Sequence, residues 1–246
     1  MVEWITRIYR IYVFYSSPAK YVIRRVILNF FKKCSPCHTV LEIGSGSAMI
    51  SSVLKSVCGS KEYITSDIAP TNQTAIVCDA QQLPFRACSV DMIASFEVVE
   101  HIPDTEKFLS EIVRVLKPEG YIVLSMPFLY GRHDFQDFYR WTAQGLERIL
   151  NLHGMELLIL QNRGGTFLTI TALLSNYIHS IFSPSSGSWR AQGIGKKLYF
   201  GIMTILMFPI IILSWLAFSI DLLVDRHSAN PSGFICIAQK KGNTHK

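Results

Sequence analysis

Four residues in the first third of the chain have the types and spacing of a ligand cradle: Gly44, Gly46, Asp67 and Asp79. Glycine lacks a Cβ, so the backbone can turn sharply there and a ligand can come close. A carboxylate accepts both hydroxyls of a sugar diol better than a neutral side chain does. The elements that must position these groups are readable around them. Val40-Leu41-Glu42-Ile43 reads as a buried strand, Gly44-Ser45-Gly46 as a turn, and Ser47-Ala48 as the start of a helix. That helix start offers unpaired N–H groups and a positive dipole end at the same spot. Plain strand-to-helix connections also use glycine, but Asp67 argues for more. It closes a second strand 23 residues after Gly44, near the roughly 20-residue spacing at which an acid meets ribose in nucleotide-binding folds.

A nicotinamide dinucleotide needs a third glycine where this chain has Met49. The tighter pattern here, G-x-G-x-A with Glu42 just before the turn, resembles motif I of the class I S-adenosylmethionine-dependent methyltransferases; that family usually has Gly where Ala48 stands. Residues 75–79 read as a third strand ending on Asp79, and residues 89–95 as a fourth. Asp79-Ala80, then Leu83-Pro84-Phe85, then Val90-Asp91 opening a strand, resembles the small type 11 methyltransferases. Residues 95–104 resemble their next motif. The resemblance implies S-adenosyl-L-methionine as cofactor. It places Glu42, Gly44, Ser45 and Gly46 at the turn, with Asp67 and Ile68 after the second strand. Asp79 would face the adenine amino group, Ala80 would donate its backbone N–H to the ring, and Phe96 and Glu97 would line the pocket. A carboxylate beside a free N–H complements the donor and acceptors of adenine. Asp79 also reads as a turn acid capping the next segment. Asp91 reads as a structural hydrogen bonder rather than a ligand.

Residues 106–116 carry apolar side chains at helical spacing, with Asp104 as cap. Residues 117–120 end that helix and 121–127 read as a fifth strand. The alternation predicts a doubly covered, mostly parallel sheet. Just past the fifth strand, residues 128–142 are dense in aromatic and titratable groups, at the sheet edge where open α/β folds bind substrate. This stretch resembles type 11 relatives associated with polysaccharide and cell-envelope synthesis. His133 is the first candidate base for a hydroxyl acceptor, with His101 and Glu100 behind it. Arg140 reads equally well as a tie from loop to sheet. Thr142 is placed to cap the helix running to residue 150.

Of 246 residues, 49% are hydrophobic and only 17% charged, against about 25% in an average soluble chain. The net charge of +6 suits anionic lipid surfaces or nucleic acid, and no nucleic-acid motif favours the second. The six cysteines follow no disulfide or zinc spacing as a set, although Cys34 and Cys37 form one C-x-x-C. No metal is expected, and a reducing compartment fits. Residues 1–33 mix bases with aromatic and aliphatic residues and lack the pattern of a signal peptide. They read as an amphipathic helix, lying on a membrane or packed on the domain.

Residues 155–161 and 233–239 read as the last two strands, which pair antiparallel at one sheet edge in the resembling family. About seventy residues intervene. Residues 198–220 carry no charge and would make a helix of about 35 Å, enough for a hydrocarbon core of about 30 Å. A single crossing would leave the last strand on the wrong side, and Pro209 would kink the helix. A helix dipping into one leaflet, edged by Arg190, Lys196 and Lys197, fits better; a helical pair packed on the domain or in a homodimer is the alternative.

The expectation is therefore a Rossmann-like, seven-stranded, mostly parallel sheet in residues 34–162 and 233–240. An N-terminal segment 1–33 and an apolar insertion 163–232 accompany it. The expected activity is O-methylation of a lipid-linked or envelope glycan, or another amphiphile such as a quinone, by a protein peripheral or monotopic on the cytoplasmic side of a membrane. A relict scaffold without activity and an RNA methyltransferase are the competing readings.

Overall fold

The computed structural model describes residues 17–32, 34, 37–46, 51–132, 135–182, 194–225 and 229–242. A seven-stranded sheet organises the chain, in the order β3-β2-β1-β4-β5-β7-β6. Its strands are β1 (Thr39–Ile43), β2 (Glu62–Asp67), β3 (Ile76–Val77), β4 (Val90–Phe96), β5 (Leu116–Pro127), β6 (Met155–Asn162) and β7 (Gly233–Lys240). The first five run parallel, and β7 lies antiparallel to β5, with Tyr121 opposite Gln239 and Pro127 opposite Gly233. Helices α1 (Pro18–Phe31), α2 (Ser51–Cys58), α3 (Thr105–Val115) and α4 (Ala143–Leu152) accompany it, with a 3-10 turn at Val99–His101. The insertion forms α5 (Thr166–Phe182) and α6 (Ile194–Val224).

The central strands are apolar on both faces because helices cover both faces. Val40, Leu41, Ile43, Met92, Ile93, Ala94, Val123 and Leu124 are all buried. Phe108, Leu109, Ile112 and Val115 of α3 join Leu41, Ile93, Ile122 and Leu124 in one core cluster with Leu146, Ile149 and Leu150 of α4. The predicted caps are present. Asp104 accepts from Lys107 N–H at 3.0 Å, and Thr142 Oγ1 accepts from Gly145 N–H at 3.0 Å. Asp91 is structural as read: its carboxylate accepts from Thr39 N–H and Lys117 Nζ, each at 2.8 Å.

Two boundaries differ from the sequence reading. The third strand is only Ile76–Val77, because it pairs on one side alone, with Ser66 and Asp67 of β2. Residues 117–120 do not form a separate stop after α3. β5 starts at Leu116, directly after Val115, and pairs with β4 from Val90 onward through a register shift before Met92. Glu119 absorbs the irregularity in a left-handed conformation, φ 62°.

The chain divides into two compact units. One comprises Ile23–Phe128, Asp134–Gln161 and Gly233–Lys246; the other Met1–Val22, Leu129–His133 and Asn162–Ser232. The second unit contains its own lock. Asp221 of α6 is 3% exposed. Its carboxylate accepts from the N–H groups of Gly165 (2.9 Å), Phe167 (3.0 Å) and Leu168 (2.9 Å), and Asp225 accepts from Thr166 N–H at 2.8 Å. These are the donors a helix start leaves unpaired, so α6 caps α5. A Cβ at Gly165 would stand 2.7 Å from Asp221 Oδ1, which is why glycine sits there. Tyr21, Trp215 and Phe218 stack edge-on, with centroids 5.6 to 6.3 Å apart. Helix α6 continues past Pro209. No helix among the described residues is long and apolar enough to cross a membrane.

Candidate active site

The parallel order reverses between β1 and β4, and the carboxyl ends of these strands carry the predicted residues. Gly44 and Gly46 follow β1 with φ of 67° and 46°, backbone that only glycine adopts without strain. A Cβ on Gly44 would overlap the Val98 side chain, so the turn closes against the segment after β4. Among the described residues, an added Cβ at Gly46 would meet nothing nearer than Gly44 O at 3.9 Å. The turn is tied to β2 at two points. Ser45 N–H donates to Ser66 O at 2.9 Å, and Gly46 N–H to Asp67 Oδ2 at 2.8 Å. Asp67 Oδ1 accepts from Ala69 N–H at 3.2 Å. Each oxygen keeps a further lone pair for a ligand hydroxyl.

Glu42 points inward. It is 3% exposed and accepts from Ser51 Oγ and from Tyr63 OH, the latter at 2.7 Å. Burial is the main cause that pushes its pKa above the usual carboxylate value. Its role here is to bind the first residue of α2 to the strands beneath the turn. Past β2, Ile68 is 74% exposed, an apolar face beside Asp67. Both oxygens of Asp79 contact Gln81, whose backbone N–H lies 2.8 Å from Oδ1, so this acid does shape the next turn. Ala80 beside it is buried.

The end of β4 holds the third part. Phe96 is partly buried and Glu97 sits at φ 56°, a conformation uncommon outside glycine and enriched at functional sites. Two bonds hold it: Glu97 N–H to Ser125 O at 2.9 Å, and Ser125 Oγ to Glu97 Oε1 at 2.7 Å. Glu100 is wholly buried, and His101 Nε2 stands 3.7 Å from its Oε1. His101 Nδ1 contacts the Gln136 carbonyl, and Phe138 N–H donates to Glu100 O at 2.8 Å. Both contacts draw residues 136–138 to the 3-10 turn. Arg140 forks onto Asp137 through both Nη atoms. Asp137, with Glu100 and Glu97 further off, raises the guanidinium pKa. Arg140 thus braces the loop. His133 lies outside the described residues. Among those residues no cluster of His, Cys, Asp or Glu could hold a metal.

The turn, β2 and β4 ends bring Gly44, Ser45, Gly46, Asp67, Asp79, Ala80, Phe96 and Glu97 to one sheet edge; Glu42 lies beneath it. Sequence reasoning missed Val98, Ser125, Ser51 and Tyr63, because only strand register reveals which side chains meet across the sheet. Ser45 Oγ and Ser95 Oγ are buried with no hydrogen-bond partner among the described residues. Open backbone, an exposed aliphatic face, a carboxylate pair and two unsatisfied hydroxyls fit an adenosine-type cofactor.

Comparison with known proteins agrees. Residues 41–124 match the family profile described as "Methyltransferase domain". A probable S-adenosylmethionine-dependent methyltransferase of Mycolicibacterium smegmatis is 33% identical over 89 residues, 34% of each chain. The 2-methyl-6-phytyl-1,4-hydroquinone methyltransferase of Synechocystis is 32% identical over 102 residues, covering 37% of this chain and 32% of that one. The chain spans about a third to a half of the length of the first curated relatives it matches. A structure of a SAM-dependent methyltransferase from Archaeoglobus fulgidus shares the fold, with a TM-score of 0.55 over 93% of this chain and 97% of the other, at 16% identity. Residues 41–124 are therefore similar to the methyltransferase domain of that family and to S-adenosylmethionine-dependent methyltransferases.

Proposed function

We propose that this protein transfers a methyl group from S-adenosyl-L-methionine to a small amphiphilic acceptor at the cytoplasmic face of a membrane. The observation that carries the transfer reading is the glycine turn held open by Asp67 at the strand-order reversal. S-adenosyl-L-methionine, when bound, supplies an electrophilic methyl carbon on a sulfonium. The chain's task is alignment, which is worth several kcal/mol in a displacement of this kind. Gly44 and Gly46 give room for close approach, Asp67 meets the ribose, and Asp79 with Ala80 reads the adenine edge. Phe96 and Glu97 line the cofactor pocket at the end of β4. His133 takes the proton of a hydroxyl acceptor, contributing of order 10²–10⁴-fold.

The acceptor class is a lipid-linked or envelope glycan hydroxyl, or a quinol. The Synechocystis relative, named for a phytyl hydroquinone, supports an amphiphile. Membrane contact is supported by charge: residues 163–220 contain no acid, and Arg163, Arg190, Lys196 and Lys197 are their bases, a sign pattern that suits anionic lipid. Phe167, Ile170 and Tyr177 of α5, and Phe208, Ile212 and Leu216 of α6, are exposed.

Calorimetry with S-adenosylhomocysteine tests the cofactor site; no measurable binding ends the reading. Labelled S-adenosyl-L-methionine incubated with membrane extracts tests the acceptor: label is expected in lipid or glycan, and label in RNA alone overturns it. Full turnover by His133→Ala on a hydroxyl acceptor removes His133 as base. Flotation with vesicles containing phosphatidylserine is expected to carry the protein; failure removes the membrane.

A further inference from the structure

Three of the six cysteines lie at the foot of the cofactor-side strand–helix unit, and the proposed methyl transfer uses none of them. Cys37 lies just before β1, and Cys58 is the last residue of α2. Cys37 N–H donates to the Cys58 carbonyl at 3.1 Å, so their backbones lie as close as paired strands. Both side chains are buried, at 4% and 2% exposure. Cys34 is only partly buried; its Sγ donates to Phe30 O at 3.4 Å, and it lies within electrostatic reach of Cys37.

We propose that Cys37 and Cys58 form a modification site, a dithiol that oxidises to a disulfide through Cys34. The bridge would close a covalent loop of about 22 residues around β1, the glycine turn and α2. The backbone contact favours it, since a disulfide needs Cα atoms about 4.4–6.8 Å apart.

The oxidant is a low-molecular-weight disulfide such as oxidised glutathione. The Cys34 thiolate attacks one sulfur of it, forming a mixed disulfide and expelling one glutathione thiolate. The Cys37 thiolate attacks Cys34 Sγ and expels the second. The Cys58 thiolate then attacks Cys37 Sγ, and Cys34 returns as a thiol. Two protein thiols are oxidised, one glutathione disulfide is reduced to two thiols, and the two protons leave with them.

The full chain is titrated with glutathione of varied redox ratio, quenched in acid, alkylated and mapped by peptide mass. A Cys37–Cys58 linked peptide is expected, with a melting temperature raised by roughly 5 °C and reversed by dithiothreitol. C88S, which removes the exposed cysteine outside the cluster, should behave as wild type, and C58S should lose the rise. Adducts on Cys34 and Cys88 alone overturn the proposal, as does a final Cys34–Cys37 bridge or a linked peptide without stabilisation. Buried thiols that only fill core space would give the first of these outcomes. The mapping needs no variant and no methyl donor, so its failure leaves the methyltransferase reading untouched.

Discussion

Two glycine turns in this chain lead toward helices, and in both a distant aspartate holds the backbone. After β1, Asp67 takes one turn N–H, that of Gly46, and its other oxygen goes to its own loop at Ala69. Before α5, Asp221 takes three N–H groups, and Asp225 a fourth. The first acid organises a turn where, among the described residues, an added Cβ on Gly46 would meet only Gly44 O at 3.9 Å. The second fills the helix start itself. The two turns thus differ in how many N–H groups the aspartate takes: one after β1, three before α5. Asp221 and Asp225 also point their charge into the fold, so two acids of an otherwise basic insertion are spent on capping α5.

Variants can break this contrast. Asp221→Ala should have the largest effect, since it leaves three N–H groups without their acceptor. A loss of about 3–5 kcal/mol in urea unfolding is expected, because bonds to a charged group contribute about 1.5–3 kcal/mol each and do not add fully. Affinity for S-adenosylhomocysteine should stay within about threefold if the variant folds. A loss under about 1 kcal/mol would make the clamp incidental.

Asp67→Ala should do the reverse. Calorimetry should show affinity for S-adenosylhomocysteine falling about 30-fold, roughly 2 kcal/mol, with a smaller loss of stability than Asp221→Ala because fewer N–H groups lose their acceptor. An unchanged affinity would reduce Asp67 to a turn former like Asp221. Thr142→Ala removes an ordinary cap with no ligand role. About 1 kcal/mol of stability should go, with cofactor affinity unchanged by calorimetry.

Glu42 sharpens the contrast through pH. Its pKa in the folded chain lies above its ordinary value of 4.5, so the folded state holds that proton more tightly than the unfolded chain. Its contribution to stability is fully present below about pH 4.5 and is lost as pH rises through the raised value. Glu42→Gln can still accept from Ser51 and Tyr63 but has no such proton. Denaturant midpoints of the variant, measured against wild type from pH 4 to 8, should climb over that window and then level off. A constant difference would place Glu42 in a more polar setting than its burial indicates.

The fold was legible because its signals are local. The run from Val40 to Ile43, the turn glycines and the helical spacing of Phe108, Ile112 and Val115 each lie within a few residues. Asp104 and Thr142 cap the helices they precede for the same reason. The short β3 and the merged start of β5 were not legible, because pairing with Asp67 and Val90 decides where those strands begin. At the site, the turn and its aspartate could be read, but the bond from Ser125 to Glu97 and the overlap of Gly44 with Val98 could not. Arg140 was open between two readings until Asp137 was seen on it.

The chain's own order of residues determined the strand, turn and helix units and the acids that end the strands, since periodicity and glycine act over one or two turns of backbone. Only the tertiary structure decided which carboxylate serves which turn, because Asp67 and Asp221 reach their N–H partners across 21 and 56 residues of chain. Nothing in the types of Gly46 and Gly165 tells them apart. The acid that packing delivers to each one does.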